Sequence, residues 1–131
     1  MFIDTSGWLC IFDERDLRHD TAVKTYMDAA RLVTHNYVLA EFIALCNSRR
    51  KNRPAFLKFA DYLLDDSNIE VFWVDDVLND RALELLRSRS DKMWSLCDAV
   101  SFVLMSDLGI AQALTTDHDF EQAGFVKLLE P

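Results

Sequence analysis

Glycine and proline are scarce, three and two residues in a chain of 131, which excludes a collagen-like repeat and leaves no Gly/Ser linker or Pro-rich tract to divide the sequence. One domain spanning 1–131 is therefore expected. Cysteine is scarce too. The three present make an odd number, and Cys46 and Cys97 sit inside apolar stretches, a pattern of reduced, buried thiols rather than a secreted disulfide frame. A chain this long buries roughly two thirds of its unfolded surface, so its core needs neither disulfide nor structural metal. No uncharged run approaches the ~18 residues of a membrane span. The first charged side chain is Asp4 rather than a Lys or Arg, so neither a secretory signal nor an anchor is expected. These absences point to a cytoplasmic protein.

Positive charge is also in short supply. Fourteen Lys+Arg face 22 Asp+Glu, a net of −8, which argues against a protein that coats nucleic acid. The bases are unevenly placed, with Arg49, Arg50, Lys51, Arg53 and Lys58 in one group and Arg87, Arg89 and Lys92 in a second. From Asp61 to Asp80 there are seven acids and no base, a solvated face by default.

What is there is an alternation of short and long segments. Strand-length apolar runs occupy 1–4, 32–35, 70–74, 111–116 and 125–129. Helical periodicity covers roughly 20–31, 37–50, 54–64, 77–88 and 95–108, with a short helical turn over 117–123. The chain also turns into a helix just after Asp4. This order predicts an α/β fold with a central parallel sheet covered by helices on both faces. Ligands of open parallel sheets bind beyond the carboxyl ends of the strands. That is where the acids of this sequence gather.

Asp4 follows Met-Phe-Ile and precedes Thr5-Ser6-Gly7, so it is either a helix N-cap or a site residue. Glu41 is the only ionisable carboxylate of Tyr37-Val-Leu-Ala-Glu-Phe-Ile-Ala-Leu-Cys46. A helix apolar all round is expected to be buried, and a buried carboxylate requires a cation, either an Arg of the Arg49 group or a metal. Asp98 is the only charge between Lys92 and Asp107, and Ser95 with Asp98 has the spacing of a capping box. Asp117 ends the strand-like run Ala-Leu-Thr-Thr, with Asp119 two residues on and Thr116–Asp119 spaced as another box. Four acids converging on one sheet edge must either raise one another's pKa or recruit a divalent cation. A donor set of oxygens alone selects Mg²⁺ or Mn²⁺ over Zn²⁺.

Phe2-Ile-Asp4-Thr-Ser-Gly-Trp8, Val38-Leu-Ala-Glu41-Phe42, Trp94-Ser-Leu-Cys-Asp98-Ala-Val-Ser-Phe102 and Ala113-Leu-Thr-Thr-Asp117-His-Asp-Phe120 together resemble the four acidic motifs of PIN-domain nucleases. The closing Gln122-Ala-Gly-Phe125 is similar as well. The likeness spans the whole chain in order and is nearest to VapC-type toxins of toxin–antitoxin pairs. It implies a three-layer α/β/α sandwich on a parallel sheet of four to five strands and Mg²⁺- or Mn²⁺-dependent cleavage of RNA. It further implies a homodimer and a protein antitoxin that blocks the site. Carried over by position, Asp4, Glu41, Asp98 and Asp117 are the metal-binding acids, with Thr5, Ser6 or Thr115 placing waters and Asp119 able to share or replace the role of Asp117. Two positions depart from the pattern: Met93 where relatives often have Asp, and Cys97 where they often have Thr.

On this reading RNA phosphates are met by Arg49, Arg50, Lys51 and Arg53, with Arg87, Arg89 or Lys92 as further contacts. Helix termination explains the first group equally well. Trp8, Phe12, Phe42, Phe56 and Phe59 form either a groove for a partner helix or part of the core. Rival readings fit less well. An aspartyl phosphatase commonly has a second Asp where Ser6 stands, and a phosphate-accepting receiver domain lacks its Lys near Thr115. A non-catalytic RNA-binding or interaction module of the same fold is the remaining alternative.

Overall fold

The computed structural model describes all residues 1–131. Five strands form one sheet: β1 (Phe2–Ile3), β2 (Leu32–His35), β3 (Ile69–Phe72), β4 (Gln112–Leu114) and β5 (Val126–Lys127). Their order is β3-β2-β1-β4-β5, and every pairing is parallel. Seven helices flank the sheet: α1 (Thr5–Phe12), α2 (His19–Asp28), α3 (Asn36–Ser48), α4 (Arg53–Asp65), α5 (Asp76–Ser88), α6 (Leu96–Leu108) and α7 (Asp119–Gln122). The expected parallel sheet is thus present with five strands. The chain first adds strands to one side of β1 and then crosses to the other. The point of reversal lies between β1 and β4, where a crevice opens at the carboxyl ends of a doubly wound sheet.

Burial follows from that order. Both residues of β1 and all four of β2 are buried, because helices cover both sheet faces. The edge strands β3 and β5 keep exposed residues. One core cluster of 23 buried residues holds the sheet to the helices. Trp8, Phe42 and Phe56 belong to it, and Phe12 and Phe59 pack against it. Edge-on ring contacts such as Phe12–Phe59 at 5.3 Å consume these aromatics, so the partner-helix groove considered for them is absent. The cysteines are free and buried.

Two differences from the sequence reading have physical causes. Helix α2 ends at Asp28 rather than near residue 31, since Ala29 is extended and the chain must turn into β2. The run 111–116 leaves the sheet after Leu114, where the Thr115 hydroxyl turns to Asp4 and the Thr116 N–H to Ser6, although the Thr115 carbonyl still accepts from the Leu129 N–H. Gly7 makes that approach possible. A Cβ there would lie 2.2 Å from the Leu114 carbonyl oxygen, so only glycine lets α1 lie directly on the end of β4.

Candidate active site

Asp4 leaves β1 and occupies the N-cap position of α1, yet its side chain caps nothing. Its Oδ2 accepts instead from the Thr115 hydroxyl at 3.0 Å. Thr115 has one proton and spends it there, so the Ser6 hydroxyl, 3.1 Å away, donates to Thr115. Ser6 Oγ in turn accepts from the Thr116 N–H at 3.0 Å, and Thr115 Oγ1 accepts from the Asp117 N–H at 3.0 Å. This chain ties the strand-ends of β1 and β4 together. Burial pushes the Asp4 carboxyl up to about 7, with Asp98 and Glu41 adding to the rise, against hydrogen bonds from the Thr5 backbone and Thr115.

Asp98 stands in the first turn of α6 and does close the capping box: its Oδ2 accepts from the Ser95 N–H, and the Ser95 hydroxyl accepts from the Asp98 N–H, both at 3.0 Å. Its second oxygen is left for the crevice. Burial, then the charges of Asp117 and Asp119, push this carboxyl up to about 6. Asp117 Oδ1 accepts from the Asp119 N–H at 2.9 Å, an Asx-type turn into α7. Thr116 therefore makes no box with Asp119; its N–H is engaged with Ser6. Burial and Asp117 raise Asp119 as well.

Carboxylate oxygens of Asp98, Asp117 and Asp119 lie within 4.8 Å of one another. Asp119 thus belongs to the tightest acidic group, while Asp4 and Glu41 lie outside it but close enough to act on each other's charge. The signal for Asp119 was the strand end followed by two acids one residue apart. Glu41, in the second turn of α3, is only half-buried, because Ala40 and Ala44 face solvent. The apolar pattern of α3 predicts full burial, which the exposed Ala40 and Ala44 prevent. No Arg or Lys pairs with Asp4, Glu41, Asp98, Asp117 or Asp119; the ion pairs all lie elsewhere. The bridge from Glu41 to the Arg49 group does not form.

That basic group lies beyond the far end of α3, about 12 Å along the axis from Glu41. Lys51 pairs with Asp13 at 2.6 Å and Arg53 donates to Asn47 at 2.8 Å. Arg49 and Arg50 are exposed. None of the four is brought to the acids. Nearer them is Lys92, whose charge acts on Asp119.

His35 is fully buried and its hydrogen bonds fix its tautomer. Nδ1 accepts from the Val38 N–H at 3.3 Å, so Nε2–H donates to Ser101 Oγ at 2.8 Å, and that hydroxyl donates to the Cys97 carbonyl at 2.9 Å. Burial holds the imidazole neutral, down to about 3. It joins the start of α3 to the first turns of α6, the helices of Glu41 and Asp98. The Cys97 thiol, pushed up by burial and then by Glu41 and Asp4, stays protonated and offers no soft ligand.

The family model for the PIN domain matches residues 1–126. The chain belongs to the PIN domain family. Among the similar proteins of this family is a 23S rRNA-specific endonuclease, VapC20, from two strains of Mycobacterium tuberculosis. Each is 35% identical to this PIN domain over 129 residues, 98% of this chain and 97% of the relative. The crystal structure of Mycobacterium tuberculosis VapC20, described as a sarcin–ricin loop cleaving toxin, superposes on this PIN domain with a TM-score of 0.87 at 33% identity. The match covers 99% of this chain and 98% of that one.

Proposed function

We propose that this PIN domain is an endoribonuclease that hydrolyses RNA phosphodiesters with Mg²⁺ or Mn²⁺, and that it is the toxin of a toxin–antitoxin pair. The observation that carries the reading is a crevice holding five carboxylates with no paired cation, three of them sharing oxygens within 4.8 Å. Unpaired acids at this density are costly unless protonated or bound to a cation. An all-oxygen donor set with its one nearby thiol held protonated fits a hard divalent ion.

Asp98, Asp117 and Asp119 would hold such an ion, with Asp4 completing the set from the buried side. The ion supplies a Lewis acid for a phosphoryl oxygen and a bound water of lowered pKa. Glu41, half-exposed on α3, orients the attacking water and accepts its proton. The Ser6–Thr115 pair holds Asp4 in place. The Thr5 hydroxyl, the one buried side-chain polar atom without a partner, is free to bond a water of the ion's shell. Arg49, Arg50, Lys51 and Arg53 serve RNA phosphates far from the cut.

The VapC20 relatives are named for 23S rRNA cleavage, so ribosomal RNA is the first substrate to test. A homodimer, a cognate antitoxin that covers the acids and a cytoplasmic location complete the proposal; no helix is long and apolar enough to cross a membrane. The test incubates purified protein with total ribosomal RNA, with and without Mg²⁺ or Mn²⁺, beside Asp98→Asn and Asp117→Asn. Cleavage should require both metal and wild-type acids. Equal cleavage by wild type and both variants would remove the assignment.

A further inference from the structure

A second recess begins where the acids end. It is a groove of about 270 Å³ among α5, α6 and the turn after α7, with Leu85, Trp94, Phe102 and Phe125 among its walls and Arg81 and Arg89 lining it. Its aromatic side is rigid: Phe102 lies 4.9 Å from Trp94 and 5.7 Å from Phe125, centre to centre.

Two of its walls start at site acids. On α6, Phe102 follows Asp98 by four residues, the same helical face about 6 Å further along. On the other side, Ala123, which also lines the groove, follows Asp119 by four. Trp94 directly precedes Ser95, whose hydroxyl and N–H fix Asp98. The groove and the acids therefore share α6 and the segment around α7.

Two arginines line the groove, each paired with an acid at its rim. No carboxylate lines it and two guanidinium groups do, in a chain of net charge −8. Both are held only by surface acids, Arg81 by Asp107 at 2.8 Å and Arg89 by Asp91 at 3.0 Å. With the acids 43% and 61% exposed, such pairs contribute little, and exchanging carboxylate for phosphate keeps the bidentate geometry that arginine favours. Arg89 also lies over the Trp94 ring, 5.2 Å from its centre. Guanidinium planes and aromatic faces are the surfaces against which proteins hold splayed RNA bases.

We propose that this groove receives the nucleotide adjoining the scissile phosphate, its base against the aromatic wall and the phosphates on either side of it on Arg89 and Arg81. The proposal deepens the nuclease reading and rests on it.

The test measures binding of a labelled ten-nucleotide RNA of mixed sequence in EDTA, by fluorescence anisotropy. The double variant Arg81→Ala/Arg89→Ala should bind at least tenfold more weakly. Val103→Trp, which fills the groove without changing charge, should do the same. Lys24→Ala, on α2, controls for loss of any positive charge and should bind like the wild type. Thermal melts establish that each variant folds. The Trp94 Nε1–H resonance, whose proton goes to Gln122 Oε1, should shift on adding the RNA.

Unchanged binding by both groove variants with a stationary Trp94 resonance overturns the proposal, as does a wild type that does not bind the decamer; a groove that seats a partner protein's helix gives the first of these results. Adding Mg²⁺ separates the two readings. If the nuclease reading fails, the decamer stays uncut while the binding differences persist. If only the groove proposal fails, RNA is cut and the groove variants match the wild type.

Discussion

The hydroxyl of Thr115 donates to Asp4 Oδ2 at 3.0 Å, joining residues 111 positions apart in the chain at the point where the sheet reverses direction. Thr115 Oγ1 also accepts from the Asp117 N–H and meets the Ser6 hydroxyl. Thr115→Val keeps the shape and removes all three bonds, leaving a buried carboxylate and an amide without partners. It should destabilise the fold by about 1–3 kcal/mol, whereas Thr115→Ser should restore most of the loss. Urea unfolding checks this, and a valine variant as stable as the wild type would mean that Asp4 is held by something else.

Asp4 itself should destabilise the metal-free protein. Its folded pKa of about 7 stands above the unfolded value of 3.8, so the folded state binds the extra proton between those values. The stability this proton contributes is complete below pH 3.8 and is lost as pH rises through 7. In EDTA at pH 7.5, Asp4→Asn should therefore be more stable than the wild type, by about 2–4 kcal/mol, and the difference should shrink toward pH 4. His35, held low at about 3, acts oppositely, since its unfolded form binds more protons below pH 6.5. That contribution is common to both proteins and cancels in the difference curve. A difference flat from pH 4 to 8 would contradict the prediction.

Gly7 and Gly109 should respond differently to alanine. Gly7 lies in a helix, where alanine ordinarily stabilises by about 0.5–1 kcal/mol. Here the added Cβ meets the Leu114 carbonyl at 2.2 Å, so Gly7→Ala should cost more than about 3 kcal/mol, a magnitude reserved for severe packing conflict. Gly109 ends α6 at φ +67° with open space around it, and Gly109→Ala should cost only about 1–2 kcal/mol of left-handed strain. Paired thermal denaturation curves give the order, and a milder effect at Gly7 than at Gly109 would reverse the argument.

Much of this arrangement is legible in the sequence, for reasons particular residues make plain. Strand β2 is readable because Leu32–His35 is buried on both faces and so carries no solvent-facing residue. Helix α5 is readable because Leu78, Ala82, Leu85 and Leu86 repeat at helical spacing against wet Asp80 and Glu84, although Val77, which fits the same spacing, is exposed in the first turn. The bounds of α1 are not, since a short helix packed through Trp8, Leu9 and Cys10 has no polar face to set its period. For Asp119 the sequence shows a residue able to share or replace the role of Asp117, but not that it joins Asp98 and Asp117 in the tightest acidic group. That grouping depends on the Asp117 side chain turning back to the Asp119 N–H, which aims a residue outside the motif's leading acid at Asp98. Likewise the Arg49 group is placed by the length of α3, which carries it away from the acids that Glu41 faces.

Metal-induced stabilisation should rank the acids. An ion that binds only the folded chain raises its stability in proportion to the logarithm of its concentration over Kd. Mg²⁺ or Mn²⁺ titrated into the metal-free wild type at pH 7.5 should therefore raise its melting temperature progressively. Asp98, Asp117 and Asp119 share oxygens within 4.8 Å, so replacing any one by Asn removes a charged ligand from the same ion. Each variant should require at least tenfold more metal for the same shift, about 1.4 kcal/mol of binding. Asp119→Asn is the informative member, because its backbone N–H, which Asp117 needs, survives the substitution and only the carboxylate charge is lost. A metal response like the wild type's in Asp119→Asn, with the response lost in Asp117→Asn, would return the third ligand's place to Asp4 or Glu41.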